Sequence, residues 1–262
     1  MTDITNNLEI IEIQNEKNEN LPLNSALNGT SKHCEIITEE QLALYQEQFS
    51  KKKKLNIPYF LKNDFANILY KHILNEKNWT LATGIDAIKY EKASIQTNEK
   101  INNTQIKNVN NAFANDHFSY IFYRSMNNNP KNMSYIEFSV RKLFSSPEFI
   151  ENLNKITNLN LTQLTTLFLS KYKAGNFLSP HSDKGNGRLA FVLNLTKNWK
   201  PQYGGALHFM NDARTEITDT YVPQFNNFII FYVPEKTGIS HFVSTVVQNV
   251  KHNRYSITGW FS

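Results

Sequence analysis

The amino-acid sequence predicts an α+β fold in which helices come first and a β-sandwich or closed barrel follows. Apolar residues recur at helical spacing in the segments 39–53 and 63–73. From about residue 164, short runs rich in Phe, Val, Leu and Thr alternate instead with Gly, Pro and Asn. The 262 residues are 40% hydrophobic and include 18 Phe and 12 Tyr, which is enough material for a folded core.

The first half of the chain is predicted to be mainly helical. Thr38-Glu39-Glu40-Gln41 has the form of a capping box and predicts a helix over 39–53. Asn63-Asp64 is expected to cap a second amphipathic helix. The other expected elements are a short strand over 56–60, strand-like residues 79–90, a polar, Asn-rich surface loop over 94–111, and helical residues 134–157 with a break near Ser145-Ser146-Pro147.

The second half is predicted to form the β-core. Its β-like runs are 164–174, 188–196, 205–210, 215–222, 226–233, 240–250 and 254–262. Residues 1–35 are rich in Asn and Glu and nearly lack aromatic residues, so they are expected to be a mobile tail. We therefore predict a single domain over 36–262, with helical support over 36–160 and the β-core over 161–262.

Composition and charge exclude some classes of protein. No apolar run approaches the roughly 18 residues that a membrane-spanning helix needs, so no membrane span is expected. The single Cys34, in the predicted tail, cannot form an internal disulfide and, with a start that lacks a signal-peptide pattern, favours a cytoplasmic protein. The net charge of +5 permits an anionic partner, but the run Lys51–Lys54 is typical of a solvated segment.

Three residues of the β-core have the side chains of a metal site. His181 and Asp183 are two apart, so on an extended segment they point to the same side and can reach one ion. His241 lies in a later β-like run. Two histidines and one carboxylate form the facial triad of non-haem Fe(II) oxygenases. The alternative, in which these are structural residues of strands, is common for a bare His-x-Asp pair.

The last β-like run places an arginine on the inner face of the core. Arg254, Ser256, Thr258 and Trp260 share one face of this strand. A guanidinium inside a barrel needs an anion, and the distal carboxylate of 2-oxoglutarate matches its planar fork. The alternative is an edge-strand arginine that pairs with Asp or Glu.

An ordered set of motifs carries a resemblance to a known family. The pieces are Tyr172 to Asp183, Arg188 to Thr196 with Trp199, Gly204-Gly205-Ala206-Leu207, Pro223-Gln224-Phe225-Asn226, His241-Phe242-Val243, and Arg254 to Phe261. Together the block Leu167–Phe261 resembles the prolyl 4-hydroxylase-like 2-oxoglutarate/Fe(II) dioxygenases. Within them it is most similar to the branch of the ribosomal-protein prolyl hydroxylases and their bacterial relatives. The resemblance implies a double-stranded β-helix (jelly-roll) core with N-terminal supporting helices.

The resemblance also implies a role for individual residues. His181, Asp183 and His241 would be the iron ligands. Arg254 would hold the distal 2-oxoglutarate carboxylate, Tyr172 would hydrogen-bond the same group, and Ser256 and Thr258 would lie beside the co-substrate. The chain departs from some prolyl hydroxylases at Val192, where a further tyrosine contacts the co-substrate, so this contact is missing or is supplied elsewhere.

The function implied is an Fe(II)-, 2-oxoglutarate- and O2-dependent dioxygenase, with ascorbate as a further candidate cofactor. The expected substrate is a prolyl residue in a protein, which would be a protein of the translation apparatus by family likeness alone. Hydroxylation of a free amino acid or small metabolite is the alternative. A silent jelly-roll binding module and a nucleic-acid dealkylase are less favoured, because the triad and Arg254 are present and basic residues are not interleaved with aromatics near the site. A membrane partner is not expected.

Side chains alternate along a strand, and this alternation places His208 outward, in a structural role.

Overall fold

The computed structural model of the protein describes residues 33–35, 37–86, 103–125, 133–235 and 238–262. Its α-helices are α1 Glu39–Lys52, α2 Asn63–Asn75, α3 Asn103–Ala114, α4 Tyr135–Phe144 and α5 Pro147–Thr157. Its strands are β1 Lys54–Ile57, β2 Thr80–Asp86, β3 Phe118–Ser125, β4 Leu164–Tyr172, β5 Phe177–His181, β6 Leu189–Asn194, β7 Leu207–Met210, β8 Ile217–Tyr221, β9 Asn227–Tyr232, β10 His241–Val243 and β11 Arg254–Phe261. None of these helices is long and apolar enough to cross a membrane.

The strands form one antiparallel sheet that curls into a jelly roll. The order is β1-β9-β6-β11-β4-β3-β5-β10-β7-β8, and β2 pairs with β3. Strand β3 joins the two layers along one of its edges, where Tyr120 and Ile121 pair with β5 and the following residues Tyr123–Ser125 pair with β4. Strand β2 pairs along the other edge. This is the double-stranded β-helix that the sequence predicts, and the region predicted as helical support also contributes the strands β1, β2 and β3.

Side chains alternate between two cores along each strand of the larger layer. On β6, for example, Leu193 packs in the core that the helices share, whereas Ala190 and Val192 belong to the core inside the barrel. The helix-side core is rich in phenylalanine: Phe144 of α4 stacks on Phe149 of α5 at 4.5 Å between ring centroids. The helices therefore seal one face of the sheet and leave the barrel interior for the site.

Local signals explain where several helices begin and end. Thr38 and Gln41 form both hydrogen bonds of the predicted capping box at the start of α1. The break predicted near Pro147 is also confirmed, since α4 ends at Phe144 and Ser146 caps α5. The cap predicted for α2 is wrong: the N-cap residue is Lys62, and its side chain makes no capping hydrogen bond.

The surface loop expected over 94–111 is wrong for its described part, because residues from Asn103 onwards form α3. Residues 94–102 lie outside the described residues. The stretch 103–114 is rich in Asn, a poor helix former, which concealed a short apolar stripe. Val109 is buried and packs with Ile121 and Phe177, so tertiary burial stabilises a helix that propensity disfavours.

The structure differs from the sequence-based expectation at Cys34. The residue is buried, 1% exposed, and forms an isolated β-bridge with Leu61. Burial raises the pKa of its thiol well above the usual range, which makes it inert towards electrophiles at neutral pH. Residues 1–32 of the predicted tail lie outside the described residues, so the tail and the domain boundaries stay predictions.

Candidate metal centre and co-substrate cavity

Strand register brings three distant side chains together at one end of the barrel. His181 is the last residue of β5, and His241, the first residue of β10, lies directly opposite it. Asp183 follows β5 by two residues. The pairing contains a bulge on β5. Val243 lies two residues after His241 on β10, but its partner Leu178 lies three residues before His181 on β5. The extra residue re-aims β5, so that Leu178 and His181 both line the cavity inside the barrel.

The three side chains converge closely enough to share one ion. The Nε2 atom of His181 lies 3.4 Å from Asp183 Oδ1, and the Nε2 atom of His241 lies 3.4 Å from Asp183 Oδ2. One ligand atom from each residue lies within 4.8 Å of the others. Two imidazole nitrogens and one carboxylate oxygen are the donor set of non-haem Fe(II) sites, and this arrangement leaves positions open for exogenous ligands.

Backbone carbonyls orient both imidazoles. The Nδ1 atom of His181 is 3.0 Å from the Ser179 carbonyl, and the Nδ1 atom of His241 is 3.0 Å from the Ile239 carbonyl. Each Nδ1 can donate its hydrogen to a carbonyl, which leaves each Nε2 lone pair directed at the shared centre. Both rings are thus held in the orientation that metal coordination requires.

The electrostatics of the triad keep its carboxylate charged. Burial alone would raise the pKa of Asp183, but the imidazoles of His241 and His181 outweigh it and hold this pKa well below its usual range. Burial and the neighbouring His241 lower the pKa of His181. For His241, burial opposes the charge, but attraction to Asp183 raises the pKa above its usual value. A divalent cation would meet one carboxylate and at least one neutral imidazole here.

The triad opens into a cavity inside the barrel. Its wall is mostly apolar: Phe122, Phe168, Leu178, Ala190, Val192, Leu207, Phe231 and Val243 contribute. Its polar residues include Ser170, Tyr172, Thr258 and Arg254. An apolar cavity with a few convergent polar groups is the usual form of a small-molecule site.

Arg254 is a buried cation without a carboxylate partner among the described residues. It is 2% exposed, and its Nε atom has no hydrogen-bond partner. Its guanidinium lies 4.8 Å from the ring of Tyr172, to which it is hydrogen-bonded. Burial lowers the pKa of Arg254 and raises that of Tyr172 to about 12, so the phenol stays protonated and can donate. The edge-strand alternative, with Asp or Glu as partner, therefore does not describe Arg254, and a carboxylate ligand would satisfy it.

The structure places the other predicted site residues near this arginine. Thr258 lines the cavity, whereas Ser256 is fully buried and shares a hydrogen bond of 2.7 Å with Ser170. Val192 lines the cavity, and its side chain offers no polar atom. His208 points away from the cavity as expected: its Nδ1 lies 2.9 Å from Thr220 Oγ1.

Three polar residues were not predicted from the sequence: Ser170 and Asn186, which line the cavity, and Asn194 on the inner face of β6. Asn194 is the last residue of β6 and is 0% exposed. The available signal was a single polar residue at the end of the apolar run Leu189-Ala190-Phe191-Val192-Leu193. Such a residue on a buried strand needs a partner, and the sequence alone does not say which.

Comparison with known proteins agrees with this fold. Residues 167–262 match the family model described as the 2OG-Fe(II) oxygenase superfamily. No curated protein matches the sequence. Among solved structures, a prolyl hydroxylase from Trichoplax adhaerens, in complex with a hypoxia inducible factor oxygen degradation domain peptide fragment, aligns with a TM-score of 0.58 and 15% identity, over 85% of this chain and 89% of that one.

Two bacterial structures are also similar. A prolyl-4-hydroxylase from Pseudomonas putida aligns with a TM-score of 0.52 and 14% identity, over 84% of this chain and 97% of the other. A 2OG-Fe(II) oxygenase family oxidoreductase from Burkholderia pseudomallei aligns with a TM-score of 0.55 and 14% identity, over 86% and 92% of the two chains. At these identities the likeness of the structures shows the fold. Together with the family match over residues 167–262, it indicates an enzyme of the 2OG-Fe(II) oxygenase type with a prolyl hydroxylase-like fold.

Proposed function

We propose that the protein is a cytoplasmic 2-oxoglutarate- and Fe(II)-dependent hydroxylase that acts on a prolyl residue in a protein. The observation that carries the proposal is the pairing of two features in one cavity. The converging triad His181, Asp183 and His241 offers a metal site, and Arg254 offers a buried, unmatched positive charge. A keto diacid can satisfy both features at once, because one end chelates the metal and the other carries a carboxylate.

In this proposal the protein binds and orients the reactants. The Nε2 atoms of the two histidines and a carboxylate oxygen of Asp183 hold Fe(II), while Arg254 and Tyr172 hold the distal carboxylate of 2-oxoglutarate. When bound, Fe(II) and 2-oxoglutarate supply the oxidative chemistry, in which O2 is consumed, a C–H bond becomes C–OH, and succinate and CO2 are released. The aromatic wall, with Phe231 at 4.7 Å from His241 between ring centroids, excludes water from the centre.

A surface groove favours a protein substrate over a free amino acid. It is lined by residues of α3, β5 and β10, including Phe113, Pro180 and Phe242. Leu178 and Val243 line both this groove and the reaction cavity. The groove therefore adjoins the site and offers room for residues that flank the hydroxylated one. A protein of the translation apparatus is the proposed source, on the family likeness described above.

The test measures succinate formation by the purified protein with Fe(II), 2-oxoglutarate and O2. The substrates are proline-containing peptides from ribosomal proteins, free L-proline and a peptide pool without proline, each with and without ascorbate. The peptides are then examined by mass spectrometry for the gain of one oxygen atom, with Asp183→Ala as the inactive control. Prolyl oxidation in peptides supports the proposal. Oxidation of free proline alone would identify a metabolite hydroxylase. Oxidation of the peptides that lack proline would contradict a prolyl substrate.

A further inference from the structure

Asn194 faces the inside of the barrel, two residues after the cavity-lining residue Val192 on β6. Its neighbours Leu193 and Leu195 pack in the helix-side core, whereas Val192, two residues earlier on the same strand, lines the cavity. Because side chains alternate along a strand, Asn194 projects to the same side as Val192. Across the ladder it pairs with Ser256 of β11 and with Asn227 of β9.

The amide of Asn194 is buried without a partner. The side chain is 0% exposed, and neither Oδ1 nor Nδ2 has a hydrogen bond within the described part of the chain. Its polar neighbour Ser256 is already engaged, because its hydroxyl pairs with that of Ser170 at 2.7 Å. Buried amides are nearly always hydrogen-bonded, so the two vacant atoms indicate a polar group that enters this space.

A second unmet donor lies in the adjacent row of the same sheet face. Arg254 is two residues before Ser256 on β11 and pairs with Tyr172 of β4. Its Nε atom also has no partner. A carboxylate presents about four lone-pair sites on two oxygens, so it can accept hydrogen bonds from several donors at once. One anion at this end of the barrel can therefore satisfy both residues.

We propose that Asn194 is a specificity-determining residue for the co-substrate, and that its Nδ2 donates a hydrogen bond to the distal carboxylate of the keto diacid that Arg254 holds. This inference rests on the proposed function and extends it to a residue that the sequence analysis did not identify. Asn194 thus favours a 2-oxo acid with a second carboxylate over one without it.

A merely structural role for Asn194 predicts a different result from a ligand-binding role. If the amide stabilised the ligand-free fold, replacing it with leucine would lower the melting temperature. If the amide is instead buried without a hydrogen bond, its replacement by leucine should not lower the melting temperature. The apolar side chain of similar size removes a polar group that is desolvated and unpaired. Asn194→Leu should therefore leave the melting temperature of the ligand-free protein unchanged or higher, while it weakens binding of the diacid.

The experiment measures binding by calorimetry to the full chain loaded with Mn(II), which supports binding without turnover. The ligands are 2-oxoglutarate and 2-oxobutyrate, which lacks the distal carboxylate. The matched control is Asn152→Leu, since Asn152 is also a buried amide with both atoms unpartnered but lies on helix α5 and not on a strand of the barrel. We expect Asn194→Leu to raise the Kd for 2-oxoglutarate about 5- to 30-fold. The Kd for 2-oxobutyrate and the behaviour of Asn152→Leu should not change.

Three outcomes would overturn the inference. The first is an unchanged Kd for 2-oxoglutarate in Asn194→Leu while the wild-type protein binds it, and this outcome leaves the proposed function intact. The second is an equal loss of affinity for both ligands, which would indicate a general distortion of the site. The third is the absence of 2-oxoglutarate binding by the wild-type protein, which would overturn the proposed function as well. Asn194→Ser, which keeps a small polar group, replaces Asn194→Leu if the latter does not fold, with the same outcomes.

Discussion

Replacement of Arg254 by methionine separates the charge of this side chain from its volume. In the ligand-free protein the guanidinium is 2% exposed and its Nε has no partner. Because an unpaired buried charge destabilises a fold, Arg254→Met should leave the free energy of unfolding of the ligand-free protein unchanged or higher. In the 2-oxoglutarate complex the same change removes the charge-assisted hydrogen bonds to the distal carboxylate, and binding should weaken.

The expected size of the effect follows from the strength of such bonds. A hydrogen bond to a charged group contributes about 1.5–3 kcal/mol, which corresponds to roughly a 10- to 150-fold increase in Kd. At a ligand concentration of about 100 times the wild-type Kd, 2-oxoglutarate stabilises the fold by about 2.7 kcal/mol, and a 100-fold weaker variant retains about 0.4 kcal/mol. At about 2–4 °C per kcal/mol, the ligand should raise the wild-type melting temperature by about 5–10 °C and that of the variant by about 1–2 °C.

The assay is differential scanning calorimetry of the Mn(II)-loaded protein with and without 2-oxoglutarate. Arg141→Met is the matched control, since Arg141 on α4 also has an unpartnered Nε but donates through Nη2 to the Leu167 carbonyl at 3.0 Å. The control should lose stability without ligand and keep the full ligand-induced shift. If Arg254→Met kept the wild-type shift, the assignment of Arg254 as the carboxylate anchor would be refuted.

Further predictions concern the metal, the sheet and pH. Asp183→Ala should abolish Fe(II) binding, measured by equilibrium dialysis, and succinate formation, and normal turnover would contradict the metal assignment. Gly259→Ala should destabilise the fold by about 1–3 kcal/mol or more in urea unfolding, because a Cβ there would lie 2.0 Å from the Thr166 carbonyl oxygen; wild-type stability would refute this contact. Burial lowers the pKa of Lys171 from 10.5 to about 8, with its Nζ 4.2 Å from the Trp79 ring centroid. Since the unfolded state then binds more protons between these two values, the free energy of unfolding should rise with pH across this window, and Lys171→Met should reduce the rise. An equal slope in both proteins would contradict the shift.

Much of the helical architecture could be predicted because its signals are local. The capping box at Thr38 and the break at Pro147 each depend on residues within one turn of the helix. The β-rich texture after residue 164 and the ordered motifs likewise identified the jelly roll, since strand periodicity and turn residues are also read over a few positions. The side chains of the candidate site could also be predicted, because they lie in short motifs of the sequence.

Strand β5 was not predicted, because Pro180 lies within it and proline is uncommon inside strands. Helix α3 was not predicted because its stability comes from burial of Val109 against residues distant in sequence. The burial of Cys34 beside Leu61 has the same cause. In each case the deciding contact joins segments that are far apart along the chain.

By itself, the sequence determined the kinds of groups that this protein brings to its site: two imidazoles, a carboxylate and a guanidinium on a β-core. Only the tertiary structure decided that His241 lies opposite His181 across a bulged pair of strands. The same holds for the amide of Asn194 and the Nε atom of Arg254, which have no hydrogen-bond partner among the described residues. The physical reason is that register and desolvation are properties of the assembled sheet. A residue becomes a ligand or an unpaired polar group only when other strands have enclosed it.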